Sequence, residues 1–229
     1  MATMLQLFDP VSSTFTYILW DESTHDALLI DGVASQIERD VAHLARLGLS
    51  LSWVVETHVH ADHVTSAAAL RERTGARIAV PVNCGCAGAD VKLEHGALLR
   101  FGTYESIAAL ATPGHTAGSA SYRWRDAVFT GDALFVGGCG RTDFQDGDPG
   151  TLYDSVTQQL FTLPDATLVF PAHDYNGQCA STIGHERRHN PRFAGKSRAE
   201  FIALMNGLDL PQPKLLDVAV PANRRLGQP

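Results

Sequence analysis

The sequence predicts an α/β protein with two β-sheets and helices packed outside them. Three observations carry this. Short apolar segments closed by Gly, Pro or Asp recur along the whole chain, the punctuation expected of many short strands and loops. The first segments pair as a hairpin, whereas later ones alternate with helical periodicity. A chain that mixes hairpins with strand–helix alternation needs both antiparallel and parallel ladders, and helices then cover the outer sheet faces.

Thr14 to Trp20 is β-rich and partly alternating, and Ala27 to Ile30, closed by Asp31-Gly32, reads as its hairpin partner. Ser35 to Leu47 sets Ile37, Val41, Leu44 and Leu47 at helical spacing, and Gly48 stops it. Leu51 to Glu56 is a short apolar strand, followed by a polar, His-rich loop and a helix over Val64 to Arg73. Arg77 to Val80 is the next strand. In the second half, Glu105 to Ala111, Ala120 to Trp124, Ala127 to Thr130 and Thr167 to Phe170 read as strands. Thr151 to Phe161, Ile183 to His189 and Arg198 to Leu208 read as helices.

Composition narrows the function classes. Lys plus Arg is 18 and Asp plus Glu is 25 in 229 residues, so the formal charge is −7. That balance argues against broad electrostatic binding of nucleic acid. A hydrophobic share of 45% beside 19% charged residues suits a folded globular chain. No run approaches the roughly 18 apolar residues of a membrane span, and the first basic residue is Arg39, so neither a membrane segment nor a basic leader is expected. Four cysteines, Cys84, Cys86, Cys139 and Cys179, are too few for a disulfide scaffold of this size. They are read as reduced thiols, and the chain as cytoplasmic. Cys84-Gly85-Cys86 has one spacer residue, which fits neither a redox C-x-x-C nor a usual zinc knuckle.

The chemistry concentrates in the histidines. Three of ten lie in Thr57-His58-Val59-His60-Ala61-Asp62-His63, directly after the apolar strand Leu51 to Glu56. His58 and His60 are two apart, so both can face one way if the chain stays extended. Asp62 and His63 are expected to begin the next helix. Three further strands end in a similar way: His115 follows Ala111 within Pro113-Gly114-His115-Thr116, Asp132 follows Thr130-Gly131, and His173 follows Phe170-Pro171-Ala172. In α/β architectures ligands gather where strands end. Imidazole and carboxylate donors suit zinc, iron or manganese, and the absence of Cys from the first motif argues against a structural zinc site of the Cys-rich kind.

The H-x-H-x-D-H loop with its ordered His115, Asp132 and His173 resembles the metallo-β-lactamase superfamily over nearly the whole chain. The resemblance implies an αββα sandwich: two mixed β-sheets with helices on the outer faces and a metal site at one edge. It also implies that residues 1–229 form a single domain of that fold with a short C-terminal extension. Two segments narrow the likeness. Gly138-Cys139-Gly140-Arg141-Thr142-Asp143-Phe144-Gln145 is similar to the persulfide dioxygenase, or ethylmalonic encephalopathy protein, family. So is His173-Asp174-Tyr175-Asn176-Gly177, with Ser181-Thr182-Ile183-Gly184 and Glu186 to Arg192 after it, as are Pro213-Lys214 and Asp217 to Asn223. Glyoxalase II shares the Gly-Cys-Gly-Arg but continues differently, and the stretch after Leu208 is too short for the helical region that contacts glutathione in that enzyme.

For this chain the resemblance implies an iron(II)-dependent persulfide dioxygenase. Glutathione persulfide, O₂ and water would give glutathione and sulfite, a step of sulfide detoxification. One Fe(2+) per chain would be held by His58, His115 and Asp132, a facial triad of two histidines and one carboxylate with open positions. His60, Asp62, His63 and His173 are either residues that orient those ligands or the ligands of a second metal, as in the binuclear hydrolases of the superfamily. Arg141, Tyr175 and Arg225 are the candidates for substrate binding, because glutathione has two carboxylates and guanidinium groups clamp carboxylates. Cys139 is either a reactive thiol beside Arg141 or a small buried residue in a tight turn.

Two other readings remain at this level. One is a binuclear thioester hydrolase of glyoxalase II type acting on S-lactoylglutathione. The other is a non-catalytic module that binds metal or persulfide. The partners expected are glutathione persulfide and O₂, with no nucleic acid and no membrane. A homodimer and a sulfurtransferase acting in trans complete the expectations.

Overall fold

The computed structural model describes residues 3–228. Twelve strands form two six-stranded sheets among the described residues. The first sheet runs β1 (Met4–Asp9), β2 (Thr14–Trp20), β3 (Asp26–Ile30), β4 (Ser50–Val55), β5 (Arg77–Pro81) and β6 (Val91–Leu93) in chain order. The second holds β7 (Leu98–Phe101), β8 (Glu105–Ala111), β9 (Ala120–Trp124), β10 (Ala127–Gly131), β11 (Leu168–Pro171) and β12 (Ser181–Thr182), again as sequence neighbours. Both sheets are mixed. In the first, β1–β2–β3 is an antiparallel meander, and β3–β4 and β4–β5 are parallel. Parallel neighbours need a crossover; α1 (Ile37–Leu47) and α2 (Ala67–Thr74) supply them. In the second, β10 and β11 are parallel and α3 (Pro149–Ser155) lies between them in sequence.

Three apolar layers hold this arrangement. Phe15, Tyr17, Leu28, Val55, Tyr122, Phe129 and Phe170 fill the space between the sheets. Ile18, Leu29, Val54 and Ile78 face the other way and pack with Leu44 of α1 and Leu70 of α2. Val128 and Val169 do the same for the second sheet, against Leu152 of α3 and Phe201 of α5 (Arg198–Asn206). Alternate residues of one strand therefore serve two cores, which is why these strands are apolar almost throughout. The predicted two-sheet sandwich with outer helices is what the structure shows.

Five elements lie outside the sequence reading. Strands β1, β6, β7 and β12 are short or at sheet edges, where alternation is weak. The C-terminal tail folds as α6 (Leu216–Asn223) despite Pro221 within it. Two predicted helices differ. The helix expected from Val64 begins at Ala67, where the Thr65 and Ser66 amides are given to the Asn223 side chain and the Gly32 carbonyl, each at 2.9 Å. The helix expected over Thr151 to Phe161 starts at Pro149, capped by the Asp148 carboxylate on the Thr151 amide at 2.6 Å, and widens to a π-turn over Val156–Leu160.

Two phenols stitch the sheets together at their common edge. Tyr17 of β2 donates to the Pro171 carbonyl at 2.5 Å, and Tyr122 of β9 donates to the Glu56 carbonyl at 2.7 Å. Burial raises both hydroxyls well above the usual phenol range, so they stay protonated donors. Phe129 sits beneath this stitching, 1% exposed, with ring centroids 4.8 Å from Tyr17 and 5.5 Å from Phe170. Phe129→Ala is expected to cost about 3–5 kcal/mol of stability, read as a lowered urea midpoint with unchanged slope; a cost below about 1 kcal/mol would show that the inter-sheet layer closes over the cavity.

Candidate metal centre

The H-x-H-x-D-H loop starts where β4 leaves its sheet, and there its backbone loses the ladder. Buried amide and carbonyl groups still need partners, and they find them in side chains from distant segments. Asp31, just past β3, accepts the Thr57 amide through Oδ1 at 2.7 Å and the Thr57 hydroxyl through Oδ2 at 2.8 Å. Gln145 donates its side-chain amide to the Val59 carbonyl at 2.7 Å. Asn223 of α6 donates to the carbonyls of His60 at 2.9 Å and His63 at 2.8 Å, and accepts the Thr65 amide at 2.9 Å. The second sheet contributes the Ala120 amide, donated to the Thr57 carbonyl at 2.9 Å.

Held this way, His58 meets residues from two other strand ends. The ligand atoms of His58, His115 and Asp132 lie within 4.8 Å of one another, with His115 Nε2 3.3 Å from Asp132 Oδ2. The hydrogen bonds assign the imidazole tautomers. The Thr57 hydroxyl gives its hydrogen to Asp31, so it accepts from His58 Nδ1–H at 2.9 Å. His115 Nδ1–H donates to the Arg141 carbonyl at 2.7 Å. In both rings Nε2 then keeps its lone pair for a cation. Burial, followed by neighbouring His60 and His115, lowers the His58 pKa well below the ordinary imidazole range, so this ring is neutral as a ligand must be. Asp132 Oδ1 is buried without a hydrogen-bond partner. A buried carboxylate with an open lone pair, beside imidazole Nε2 atoms free to donate their lone pairs, fits a cation and is costly without one.

The remaining motif residues form a second group beside the first. Ligand atoms of His60, Asp62 and His173 also lie within 4.8 Å of one another. His173 Nε2 is 3.4 Å from Asp132 Oδ1 and 3.8 Å from Asp62 Oδ2. Asp62 accepts from Thr14 Oγ1 at 3.0 Å and lies 2.9 Å from His63 Nδ1. Burial works against its charge, but His173 and His63 beside it hold its pKa well below the usual carboxylate range. His60 and His58 have ring centroids 4.1 Å apart, yet His60 Nε2 is turned to Asp31 at 3.2 Å and Glu56 at 3.4 Å. Asp62 and His63 were expected to begin a helix; the chain is irregular there and the helix starts at Ala67.

The sequence reading did not single out Asp31, Glu56, Gln145 or Asn223. Asp31 stood only as a hairpin closure. Glu56 had a detectable signal: a carboxylate at the end of an apolar strand, here 3% exposed. Gln145 and Asn223 act from 86 and 163 residues away, and no local pattern reports such contacts.

The three substrate candidates stand apart from one another in their surroundings. Arg141 pairs in a fork with Asp143, through Nε at 2.7 Å and Nη2 at 2.8 Å, and donates Nη1 to the Pro211 carbonyl at 2.6 Å. Its side chain lines a cavity of about 190 Å³ with Thr142, Met205, Leu208 and Leu210, while its carbonyl holds His115. Tyr175 is 67% exposed, and its ring stacks on His173 with centroids 5.8 Å apart. Arg225 is exposed beyond α6. Gly140 explains why the Arg141 loop can come so close: a Cβ there would lie 2.6 Å from the Asp132 carbonyl and 2.8 Å from His115 Nδ1.

Comparison with known proteins follows the same lines. Residues 9–103 and 90–173 match the metallo-beta-lactamase superfamily. The chain is 46% identical to persulfide dioxygenase ETHE1, mitochondrial, of Homo sapiens over 224 residues, covering 97% of this chain and 87% of that protein. The crystal structure of ETHE1 from Myxococcus xanthus superposes with a TM-score of 0.97 at 55% identity, covering 99% of this chain and all of that one. A hydroxyacylglutathione hydrolase of Brucella anthropi is 38% identical over 188 residues, or 78% of this chain and 69% of that protein.

Asn223→Ala removes three bonds from the loop and leaves buried groups unpaired. It is expected to cost roughly 2–4 kcal/mol of stability, measured by urea unfolding; a loss within 0.5 kcal/mol would mean that water replaces the amide. Burial pushes the Cys139 thiol up to about 12, which favours the inert reading over the reactive one. Mass spectrometry after iodoacetamide treatment of the folded protein at pH 8 is expected to find exposed Cys179 alkylated and Cys139 unmodified. Labelling of Cys139 at the rate of Cys179 would restore the reactive reading.

Proposed function

The chain belongs to the metallo-β-lactamase superfamily and, within it, to the persulfide dioxygenase family, and on that premise we propose that it is an iron(II)-dependent enzyme oxidising glutathione persulfide to sulfite. The partition of the donors supports this reading best. His58, His115 and Asp132 converge as two imidazoles and one carboxylate, the set suited to non-haem iron(II) with open positions. His60, which would complete a first hydrolase metal site, has its Nε2 turned toward Asp31 and Glu56. In balance, GSSH + O₂ + H₂O gives GSH, sulfite and two protons.

Iron bound there supplies the one-electron chemistry that lets triplet O₂ react with a closed-shell persulfide. The chain's own residues do the rest. Thr57 and the Arg141 carbonyl hold the two imidazoles in the tautomer that offers Nε2. His173 stands between Asp132 and Asp62, 3.4 Å from the first and 3.8 Å from the second, where it and Asp62 help to orient the ligands and hydrogen-bond water at the site. Arg141 takes a glutathione carboxylate: its fork already grips Asp143, whose side chain is 53% exposed, and a substrate carboxylate replaces that partner. Tyr175 offers a ring face at the opening beside His173. Arg225 remains a weaker candidate from the tail.

The same reading takes residues 1–229 as one domain, acting in the cytoplasm, with a homodimer and a sulfurtransferase in trans as partners of the pathway chemistry. All four cysteines are free, as a reducing compartment requires; the human relative is named as mitochondrial. A thioester hydrolase stays the second reading, because His60, Asp62 and His173 still form a donor group that could take a second metal.

The deciding measurement is O₂ uptake by the Fe(II)-loaded protein on adding glutathione persulfide, with sulfite assayed in the same vessel. Uptake matched by sulfite is expected. No uptake with iron bound, together with turnover of S-lactoylglutathione by a protein holding two metals, would establish the hydrolase instead. Asp132→Ala removes the only carboxylate of the triad and is expected to lose iron and turnover together, checked by metal analysis and the same electrode assay.

A further inference from the structure

The segment Thr142 to Gly147 bridges the two halves of the metal centre, and its backbone is under strain. Gln145 and Asp146 are consecutive non-glycine residues in the left-handed region, at φ 50° and 56°. Such conformations persist only where the surroundings over-determine them. Here the surroundings are specific. Gln145 Nε2 donates to the Val59 carbonyl at 2.7 Å, between His58 and His60. The Gln145 carbonyl accepts the Ala117 amide at 3.4 Å, in the loop that carries His115. Gly147 lets the segment press further onto that loop: a Cβ there would lie 2.8 Å from the His115 carbonyl and 2.6 Å from that of Thr142. Asp148 closes the contact, its amide donating to the Gly114 carbonyl at 2.9 Å.

Val59 itself faces the core under α2, 4% exposed. Its carbonyl lies past the end of β4, beyond the reach of the ladder, so the Gln145 amide is the group that satisfies it. From this geometry we propose that Gln145 is a positioning residue: it sets the first-motif loop relative to the His115 loop, and so sets the separation of His58 and His115 at the metal. The inference rests on the metal reading given above. The two left-handed residues are the conformational cost of aiming this amide at Val59. Asp146, exposed and next in line, shares the backbone strain without making the bond, which provides a control.

Three variants separate bond from strain. Gln145→Gly removes the amide and relieves the left-handed residue. Gln145→Glu keeps shape but replaces the donor by an acceptor facing a carbonyl. Asp146→Gly relieves strain and leaves the amide in place. The metal-free melting temperature is measured for each, together with Fe(II) affinity by anaerobic chelator competition and the visible bands of the Co(II)-substituted protein. Gln145→Gly and Gln145→Glu are expected to bind Fe(II) roughly 10–100-fold more weakly, with shifted Co(II) bands. Gln145→Gly is expected to keep a melting temperature close to the parent, because relief of strain offsets the lost bond. Asp146→Gly is expected to melt higher and bind metal as the parent does. Parental affinity and Co(II) bands in both Gln145 variants would overturn the proposal. So would a loss of affinity that tracks melting temperature across all three variants, since that is the mark of a merely structural segment. Affinity and spectra are read without substrate, so a parent protein that binds iron but fails to oxidise persulfide would sink the proposed function and leave this test standing.

Discussion

A loop that leaves a sheet carries backbone groups with no ladder to complete them, and the metal centre depends on how this chain solves that problem. The solution is uniform: Asp31, Gln145 and Asn223 each send a side chain into the Thr57 to Thr65 loop and bond its main chain. A backbone bonded to backbone tolerates most side chains. A backbone bonded to side chains ties its geometry to a few residues, each on a different element. The histidines are thereby held by partners from both sheets and the last helix, and the tolerance for change at those partners is correspondingly small.

Charge then follows from placement. Asp132 is buried with one oxygen unpaired, and the neighbouring imidazoles are set by Thr57 and the Arg141 carbonyl to present lone pairs rather than protons. In the adjacent group the balance runs the other way: Asp31 raises the His60 pKa well above the ordinary imidazole value against the effect of burial. Two clusters of nearly the same composition thus differ in what surrounds them.

Much of this was legible in the sequence because it is periodic or contiguous. The apolar strands, the helix stopped by Gly48 and the clustered motif histidines are local signals, and each strand end named from sequence does bring its ligand candidate to one edge. What escaped is of two kinds. Edge strands such as β6, with three residues, and a helix containing Pro221 form because tertiary packing outweighs weak local preference. The residues that orient the site, Asp31, Gln145 and Asn223, look ordinary in sequence, since an amide or carboxylate gains its role only when folding brings a particular carbonyl or amide within reach. Arg141 shows both sides: its loop was legible as a motif, whereas the bond from His115 to its carbonyl involves no side-chain identity at all.

The contact between Asn223 and the His60 carbonyl spans 163 residues, and that separation bears on the order in which the protein comes into being. During translation the histidine motif emerges long before the helix that braces it. With both sheets complete, the bonds from Asp31, Gln145 and Ala120 to this loop can already form. The Asn223 bonds can form only once α6 has been made and has docked. The finished brace on the histidine loop therefore waits on a contact made 163 residues further along the chain.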